Sequence, residues 1–108
     1  GVRYMENKIY HLRYLPIFEQ DLISTASYIT NVLKNEDAAL RLIDDVEAAI
    51  LERLNNPLAF EPYVSAKKRD YPYYRIYVRN YVIYYVVIDD VMEVRRFLYG
   101  ARDTDKHL

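Results

Sequence analysis

Residues 73–99, YYRIYVRNYVIYYVVIDDVMEVRRFLY, decide the fold of this chain. Apolar and polar residues alternate at the start of this stretch, which is typical of β-strands, and polar pairs interrupt it twice. Arg79-Asn80 predicts a two-residue hairpin turn, because asparagine tolerates positive φ, and Asp89-Asp90 predicts a second turn. Tyr81–Ile88, between the turns, is apolar throughout, as expected of a central strand covered on both faces. The stretch therefore predicts three consecutive strands that pair through hairpins.

Upstream of this stretch, the sequence predicts one strand and two helices. Residues 8–15 alternate as a strand, and Pro16 follows at a position that suits the first turn of a helix. Apolar residues then recur every three or four positions on two helices, the first ending near Lys34 and the second beginning after the N-cap residue Asn35 and stopping at Pro57. The order β-α-α-β-β-β predicts an α+β fold, in which an antiparallel helical hairpin packs on one face of a mainly antiparallel four-stranded sheet. Residues 58–72 show no periodicity, and we expect an exposed loop there.

Composition excludes several classes of protein. With 108 residues, 52% of them apolar and 29% charged, the chain is expected to form one domain over residues 1–108. Residues 1–4, which precede Met5, are expected to be an addition to the natural sequence. The absence of cysteine excludes disulfide scaffolds, thiolate zinc sites and thiol catalysis, and it suits the reducing cytoplasm. The apolar run Tyr81–Ile88 is too short to cross a bilayer, so no membrane contact is expected. His11 and His107 lie at opposite ends of the chain, and no glycine-rich loop is present; we therefore predict no metal and no cofactor.

Charge and tyrosine are unevenly distributed. The net charge is −1, but residues 1–56 carry a balance of −3 and residues 57–108 a balance of +2. Nine of the thirteen tyrosines lie between Tyr63 and Tyr99. Arginines interleaved with tyrosines would suit a stacking surface for a single-stranded polyanion, whereas strand propensity and uneven surface charge explain the same residues without a ligand. Both interpretations remain open.

Two arginines need a specific explanation. Arg75 shares a strand face with Tyr73, Tyr77 and Arg79, and we expect this face to point away from the helices with Arg75 at the sheet centre. Arg75 is then either a phosphate ligand or a cover for tyrosine rings. Arg96 falls in phase with apolar neighbours, which predicts either a β-bulge or a partly buried ion pair with an acid of the first helix. The expected partners of Arg96 are Asp21 or Glu19.

The chain resembles the RelE/ParE superfamily of bacterial toxins over nearly its whole length from about Ile9. The matching segments are Tyr14-Leu15-Pro16, Asp21-Leu22, Tyr28-Ile29, Tyr74-Arg75, residues 80–85 (NYVIYY) and residues 94–103 (VRRFLYGARD). The resemblance implies the toxin of a type II toxin–antitoxin pair, held inactive by a cognate antitoxin. It also implies that the antitoxin contributes an extended segment and a helix, which cover apolar surface on the toxin.

The superfamily has two modes of action, and the resemblance leaves both open. Some members cut mRNA on the translating ribosome by a metal-free transfer in which the RNA 2′-hydroxyl attacks the adjacent phosphate, whereas others poison DNA gyrase without a catalytic residue. Arg75 and Arg102 match basic positions of the nucleases, but Val82 stands where a catalytic arginine is expected and Leu108 where a terminal tyrosine is expected. His107 is the remaining candidate for proton transfer.

These departures favour a ParE-like gyrase poison, or another action without nuclease activity. The alternative is a ribosome-dependent mRNA endoribonuclease with the catalytic residues Arg75, Arg102 and His107, and a third possibility is a relative that retains antitoxin binding alone. The residues predicted to bind the target or nucleic acid are Lys67, Lys68, Arg69, Tyr77, Arg79, Arg95 and Tyr99.

Overall fold

The computed structural model describes residues 8–63, 69–100 and 108. The elements are β1 (His11–Tyr14), α1 (Pro16–Asn31), α2 (Glu36–Arg53), β2 (Tyr74–Val78), β3 (Tyr81–Ile88) and β4 (Val91–Tyr99). This order confirms the predicted β-α-α-β-β-β arrangement. The strands form one sheet in the order β1-β4-β3-β2, in which β1 runs parallel to β4 and the other pairs are antiparallel. The two helices pack on one face of this mixed sheet.

The helix boundaries follow from local chemistry. Pro16 occupies the start of α1, where its missing N–H breaks no helical hydrogen bond. The Asn35 side chain accepts a hydrogen bond from the backbone N–H of Ala38 at 3.1 Å and caps α2, as predicted. The helix α1 ends at Asn31, three residues before the predicted end, and Lys34 adopts a φ of 56° in the connection. A left-handed residue cannot continue a right-handed helix, so the chain turns into α2 at this point.

Both predicted turns are present, but the expected residue was wrong at the first. Arg79 and Asp89, the first residues of their turns, adopt φ values of 55°, whereas Asn80 does not adopt positive φ. The backbone N–H of Gly100 donates to the Asn80 carbonyl at 2.7 Å, which ties the end of β4 to this turn. Arginine is less tolerant of the left-handed region than asparagine, so its placement there needs support from other contacts.

Two apolar clusters cover the two faces of the sheet, as the apolar run of β3 predicts. On the helix-covered face, Phe18, Leu42, Val46 and Ile50 of the helices pack against Ile83, Tyr85, Val94 and Phe97, among others. On the opposite face, hereafter the second face, the buried residues are Tyr73, Val82, Tyr84 and Val86, with Tyr63, Ile88, Leu98 and Leu108 packed against them. Alternate residues of β3 therefore point into one cluster or the other, which fixes the strand register.

The loop after α2 contributes to the fold more than predicted. Residues 58–62 are exposed, but Pro57 is buried and the backbone N–H of Tyr63 donates to the carbonyl of Tyr73 at 2.6 Å. The ring of Tyr63 packs edge-on against Tyr84, with centroids 6.2 Å apart. The expectation of an exposed loop is therefore wrong at Tyr63, because one isolated β-bridge carries this ring onto the second face.

A polar contact at the end of α2 fixes the position of β2. Arg53 Nη1 donates to the Arg75 carbonyl at 3.0 Å and to the Tyr85 hydroxyl at 2.9 Å. That buried hydroxyl donates in turn to the Pro57 carbonyl at 2.7 Å. Burial raises the pKa of Tyr85, and the hydrogen bond from Arg53 only partly offsets this rise. The Arg53 guanidinium also lies over the Phe60 ring, 3.5 Å from its centroid, so one side chain joins α2, the loop, β2 and β3.

Candidate functional site

Arg75 lies on the second face among tyrosine rings. Its guanidinium carbon is 4.7 Å from the ring centroid of Tyr63 and 5.6 Å from that of Tyr77. The predicted face is confirmed, but the predicted place at the sheet centre is wrong, because β2 is an edge strand. Tyr73, expected to point outward with Arg75, is 5% exposed, because Tyr63 and Tyr84 close over this part of the face. Periodicity identifies the face of a strand but not its neighbours in the sheet.

A second group of arginines surrounds Tyr73. Arg95 donates to the Tyr73 hydroxyl at 3.2 Å and, through Nε, to a carboxylate oxygen of Glu93 at 2.8 Å. The Arg69 guanidinium lies 4.8 Å from the Tyr73 ring centroid and donates to the carbonyl of Leu108 at 3.2 Å. Arg69 and Arg95 therefore share one polar groove with Tyr73, separate from Arg75.

Glu93 is the buried carboxylate of the second face. The residue is 6% exposed, and its side chain accepts hydrogen bonds from Arg13 and Arg95, both at 2.8 Å. Burial by itself would raise the pKa of Glu93, but the hydrogen bonds and positive charges of Arg95 and Arg13 outweigh burial and leave it lowered. Burial would likewise lower the pKa of Arg95, but the hydrogen bonds with Tyr73 and Glu93 outweigh it and leave that pKa raised. The cluster therefore stays charged on both sides, and Glu93 is held as a hydrogen-bond acceptor.

Tyr77, Arg79 and Tyr99 meet at the β2–β3 turn. These three side chains line one shallow groove together with Asn80, Val82 and Gly100. Tyr77 is 61% exposed and Tyr99 73% exposed, whereas the Arg79 guanidinium forms an ion pair with Asp45 of α2. The structure thus places the described target-binding candidates in two separate grooves, with Arg75 beside Tyr77. Lys67, Lys68, Arg102 and His107 lie outside the described residues.

Both features offered as explanations for Arg96, a β-bulge and an ion pair with the first helix, are present. The register between β3 and β4 shifts between Tyr84, which pairs with Arg96, and Tyr85, which pairs with Val94, so that Arg95 is the extra residue of a β-bulge. Arg96 also forms a two-pronged ion pair with Asp21, with Nε–Oδ2 and Nη2–Oδ1 distances of 2.8 and 3.0 Å. The hydrogen bond to Asp21 raises the pKa of Arg96 against the effect of burial. The bulge allows Val94 and Phe97, three positions apart, to pack in the same helix-side cluster.

Val82 is the residue expected, from the resemblance, where the nucleases carry a catalytic arginine. It is 2% exposed and packs in the cluster of the second face. Its partners in the sheet are Tyr77 on one side and Leu98 on the other. An aliphatic side chain at this position can neither donate nor accept a proton.

An apolar cleft between α1 and α2 was not expected from the sequence. The cleft has a volume of about 500 Å³, and its apolar walls include Phe18, Leu22, Ala26, Ile43, Val46 and Ile50. At one end lie Tyr14, Glu19 and Glu47, and toward the other end lie Ser27, Thr30 and Asn31. Burial first, then the charges of Glu47 and Glu19, raise the pKa of Tyr14. Periodicity identifies the apolar stripe of each helix but not the part of the stripe that the partner helix leaves open.

Residues 8–63, 69–100 and 108 contain neither a metal cluster nor a membrane span. No group of three or more histidine, aspartate or glutamate residues is close enough to hold a metal ion in this part of the chain. Neither α1 nor α2 has the combination of length and apolar composition that a membrane span requires.

Comparison with known proteins identifies the family. A sequence model described as the ParE toxin of the type II toxin–antitoxin system parDE matches residues 12–104. No curated protein sequence matches significantly. A solved structure described as the chromosomal ParDE toxin–antitoxin system from P. aeruginosa superposes with a TM-score of 0.73 and covers 87% of this chain and 99% of its own; at 11% sequence identity, this likeness shows the fold alone. Since the family model spans most of the sequence, the chain belongs to the ParE toxin family of type II toxin–antitoxin systems and has a cognate antitoxin as its partner.

Proposed function

We propose that this toxin arrests growth by poisoning DNA gyrase without cutting RNA, and that its antitoxin neutralises it in the cytoplasm by covering the interhelical cleft. The observation that carries the first part is Val82. Attack of an RNA 2′-hydroxyl on phosphate needs groups that move protons and stabilise charge, and general acid–base help alone is worth about 10²–10⁴-fold in rate. The buried side chain of Val82 supplies neither.

Two charged groups elsewhere on the second face support the same proposal. Glu93 accepts hydrogen bonds from Arg13 and Arg95, so its carboxylate is engaged and its lowered pKa makes it a weak base. Arg75, the described arginine that matches the nuclease pattern, lies against the rings of Tyr63 and Tyr77. A guanidinium in this position can bind an anion through its N–H groups, but it is a poor general acid or base.

The groove at the β2–β3 turn is the proposed contact with gyrase. Exposed tyrosines and arginines dominate the energetics of protein interfaces, because they bury a large apolar area and retain a polar tip. Tyr77 and Tyr99 present such rings, and Arg79 lines the same groove. Arg69 and Arg95, which line the other groove, belong to the proposed target-binding set, as do Lys67 and Lys68, which lie outside the described residues.

Two assays on the same purified toxin test the mode of action. We expect inhibition of gyrase-catalysed supercoiling, with mRNA 3′ ends in a translating extract unchanged. Tyr77→Ala and Tyr99→Ala should weaken the inhibition of gyrase, whereas Tyr28→Ala, which removes a similarly exposed tyrosine from α1, should not. New 3′ ends that need engaged ribosomes and disappear in Arg75→Ala would overturn the proposal in favour of the RelE-like nuclease. Full inhibition by both groove variants would show that gyrase binds elsewhere.

The cleft between α1 and α2 is the proposed antitoxin site. It is mainly apolar, and exposed apolar side chains such as Ile23 extend it onto the surface of α1. Apolar surface of this kind is stabilised by a partner that covers it, at roughly 25 cal/mol for each Å² removed from water. Ala26→Trp fills the cleft without changing charge, and we expect it to block antitoxin binding. Undiminished binding by a folded Ala26→Trp variant would place the antitoxin elsewhere.

A further inference from the structure

The ends of the interhelical cleft differ in charge. Glu19 of α1 and Glu47 of α2 lie at the end marked by Tyr14, one on each helix. Within the described part of the chain, neither carboxylate has a hydrogen-bond or ion-pair partner, in contrast to Asp21 and Asp45, which bind arginines of the sheet. Toward the other end, Ser27, Thr30 and Asn31 provide neutral polar groups.

The helical hairpin that forms the cleft is strongly acidic. The sequence from Pro16 to Arg53 contains eight acidic and three basic side chains. A second copy of this chain would bring another acidic hairpin against the first, and like charges repel across such an interface. Charge complementarity therefore favours a basic occupant over self-association.

We propose that the antitoxin segment in this cleft is an amphipathic helix with a lysine or arginine between Glu19 and Glu47, and that this cation selects the cognate antitoxin. The inference rests on the proposed cleft site and adds the chemistry and the direction of its occupant. A third helix can lie along a groove between two antiparallel helices, with its side chains between theirs. From Glu19 to Asn31 the cleft runs about 18 Å, the length of about twelve helical residues. In the bound antitoxin helix, the cation lies at the end of the apolar stripe that faces Tyr14, and uncharged polar residues lie at the opposite end.

The selection has a clear electrostatic cause. The two carboxylates are exposed in the free toxin and keep their hydration. When an antitoxin covers the cleft, both lose water, and an apolar or acidic side chain facing them leaves buried charges without a partner. A cation at that position compensates both carboxylates, so a wrong antitoxin is rejected mainly by the repulsive or unpaired charge.

The test compares two variants of the full toxin that each lose two carboxylates. Glu19→Gln/Glu47→Gln removes the pair at the cleft, and Asp44→Asn/Glu52→Gln removes two exposed α2 carboxylates that do not line it. The Kd for the purified antitoxin encoded beside the toxin is measured at low and physiological salt. We expect the cleft variant to weaken binding about 10- to 100-fold and to reduce its salt dependence, while the control changes Kd less than about threefold.

Charge reversal and a steric variant separate the possible failures. Glu19→Lys/Glu47→Lys should lose binding to the natural antitoxin and regain it with an antitoxin whose facing cation is changed to glutamate. If Ala26→Trp blocks binding but the cleft carboxylate variant behaves like its control, the cleft site stands and the charge selection is overturned. If Ala26→Trp leaves binding intact, both the cleft site and this inference are overturned. Thermal melts of each variant distinguish loss of binding from loss of folding.

Discussion

Asp21→Asn should destabilise the protein by about 2–3 kcal/mol. The Asp21 carboxylate accepts hydrogen bonds from Arg96 Nε, Arg96 Nη2 and the backbone N–H of Phe97, at 2.8, 3.0 and 3.1 Å. The side chains of Arg96 and Asp21 are 18% and 16% exposed, so neither is well solvated. Removing one partner of a fully buried pair costs about 3–5 kcal/mol, and an exposed pair contributes about 0–1 kcal/mol. The asparagine side chain would keep one acceptor for the Phe97 N–H, which places the expected cost between these limits.

Equilibrium unfolding in urea, followed by far-UV circular dichroism, measures this cost. For a small domain the dependence of the free energy of unfolding on urea is about 1–3 kcal/mol per molar, so the midpoint should fall by about 0.7–3 M. The matched control is Asp45→Asn, which breaks the ion pair with Arg79. The side chains of Arg79 and Asp45 are 46% and 52% exposed, and we expect a loss below about 1 kcal/mol.

Two results would refute the burial argument. A loss below about 0.5 kcal/mol in Asp21→Asn would mean that strand hydrogen bonds alone hold the bulge at Arg95. An equal loss in Asp45→Asn would mean that exposure does not distinguish the two pairs. Adding Arg96→Met to Asp21→Asn should recover part of the lost stability, because no charge is then left unpaired.

Three further perturbations address other parts of the fold. Glu93→Gln should lower stability at pH 7 and make stability less dependent on acid. The pKa of Glu93 is lowered from its ordinary value of 4.5 in the folded protein, so the carboxylate stabilises the fold fully above 4.5 and loses this effect as pH falls through the lowered pKa. An acid titration of the urea midpoint that is as steep in the variant as in the wild type would contradict this. Lys34→Gly should raise the free energy of unfolding by about 0.5–1 kcal/mol, because glycine adopts the φ of 56° without steric strain, whereas Lys34→Ala should give no gain in the same thermal melt. Tyr85→Phe should lower the free energy of unfolding by about 1–2 kcal/mol, because the buried Pro57 carbonyl loses its donor and Arg53 loses an acceptor. Tyr99→Phe, at a 73% exposed position, should stay within about 0.5 kcal/mol of the wild type in urea unfolding.

Elements that depend on local chemistry were predictable from the sequence. Pro16, Asn35 and the two polar turn pairs mark where helices and strands begin or end, and the apolar run of β3 predicts its burial on both faces. The order of strands was not predictable. It depends on the parallel pairing of β1 with β4, for example His11 with Val91, and the sequence has no pattern that records contacts between residues 80 positions apart. The wrong central placement of Arg75 has the same cause.

The candidate site was predictable in residue type but not in partners. Arg75 was selected by its strand face and by the resemblance, and Arg69 and Arg95 as basic residues for target binding. The structure brings all three to tyrosine rings. Burial of Tyr73 and the cluster around Glu93 could not be foreseen, because Tyr63 and Arg13 reach this face from distant parts of the sequence. The interhelical cleft was missed because an apolar stripe has the same period whether it is covered or open.

The structure changes the interpretation of the uneven charge along the sequence. A basic second half suggested a surface for a polyanion, yet among the described residues Arg79, Arg95 and Arg96 pair with carboxylates, two of which belong to the helices. Two of these arginines, Arg79 and Arg96, therefore attach the acidic hairpin to the rest of the domain. The described carboxylates that remain without partners include Glu19 and Glu47 on the hairpin. The same asymmetry thus points to a basic antitoxin segment on the helices more strongly than to nucleic acid on the sheet.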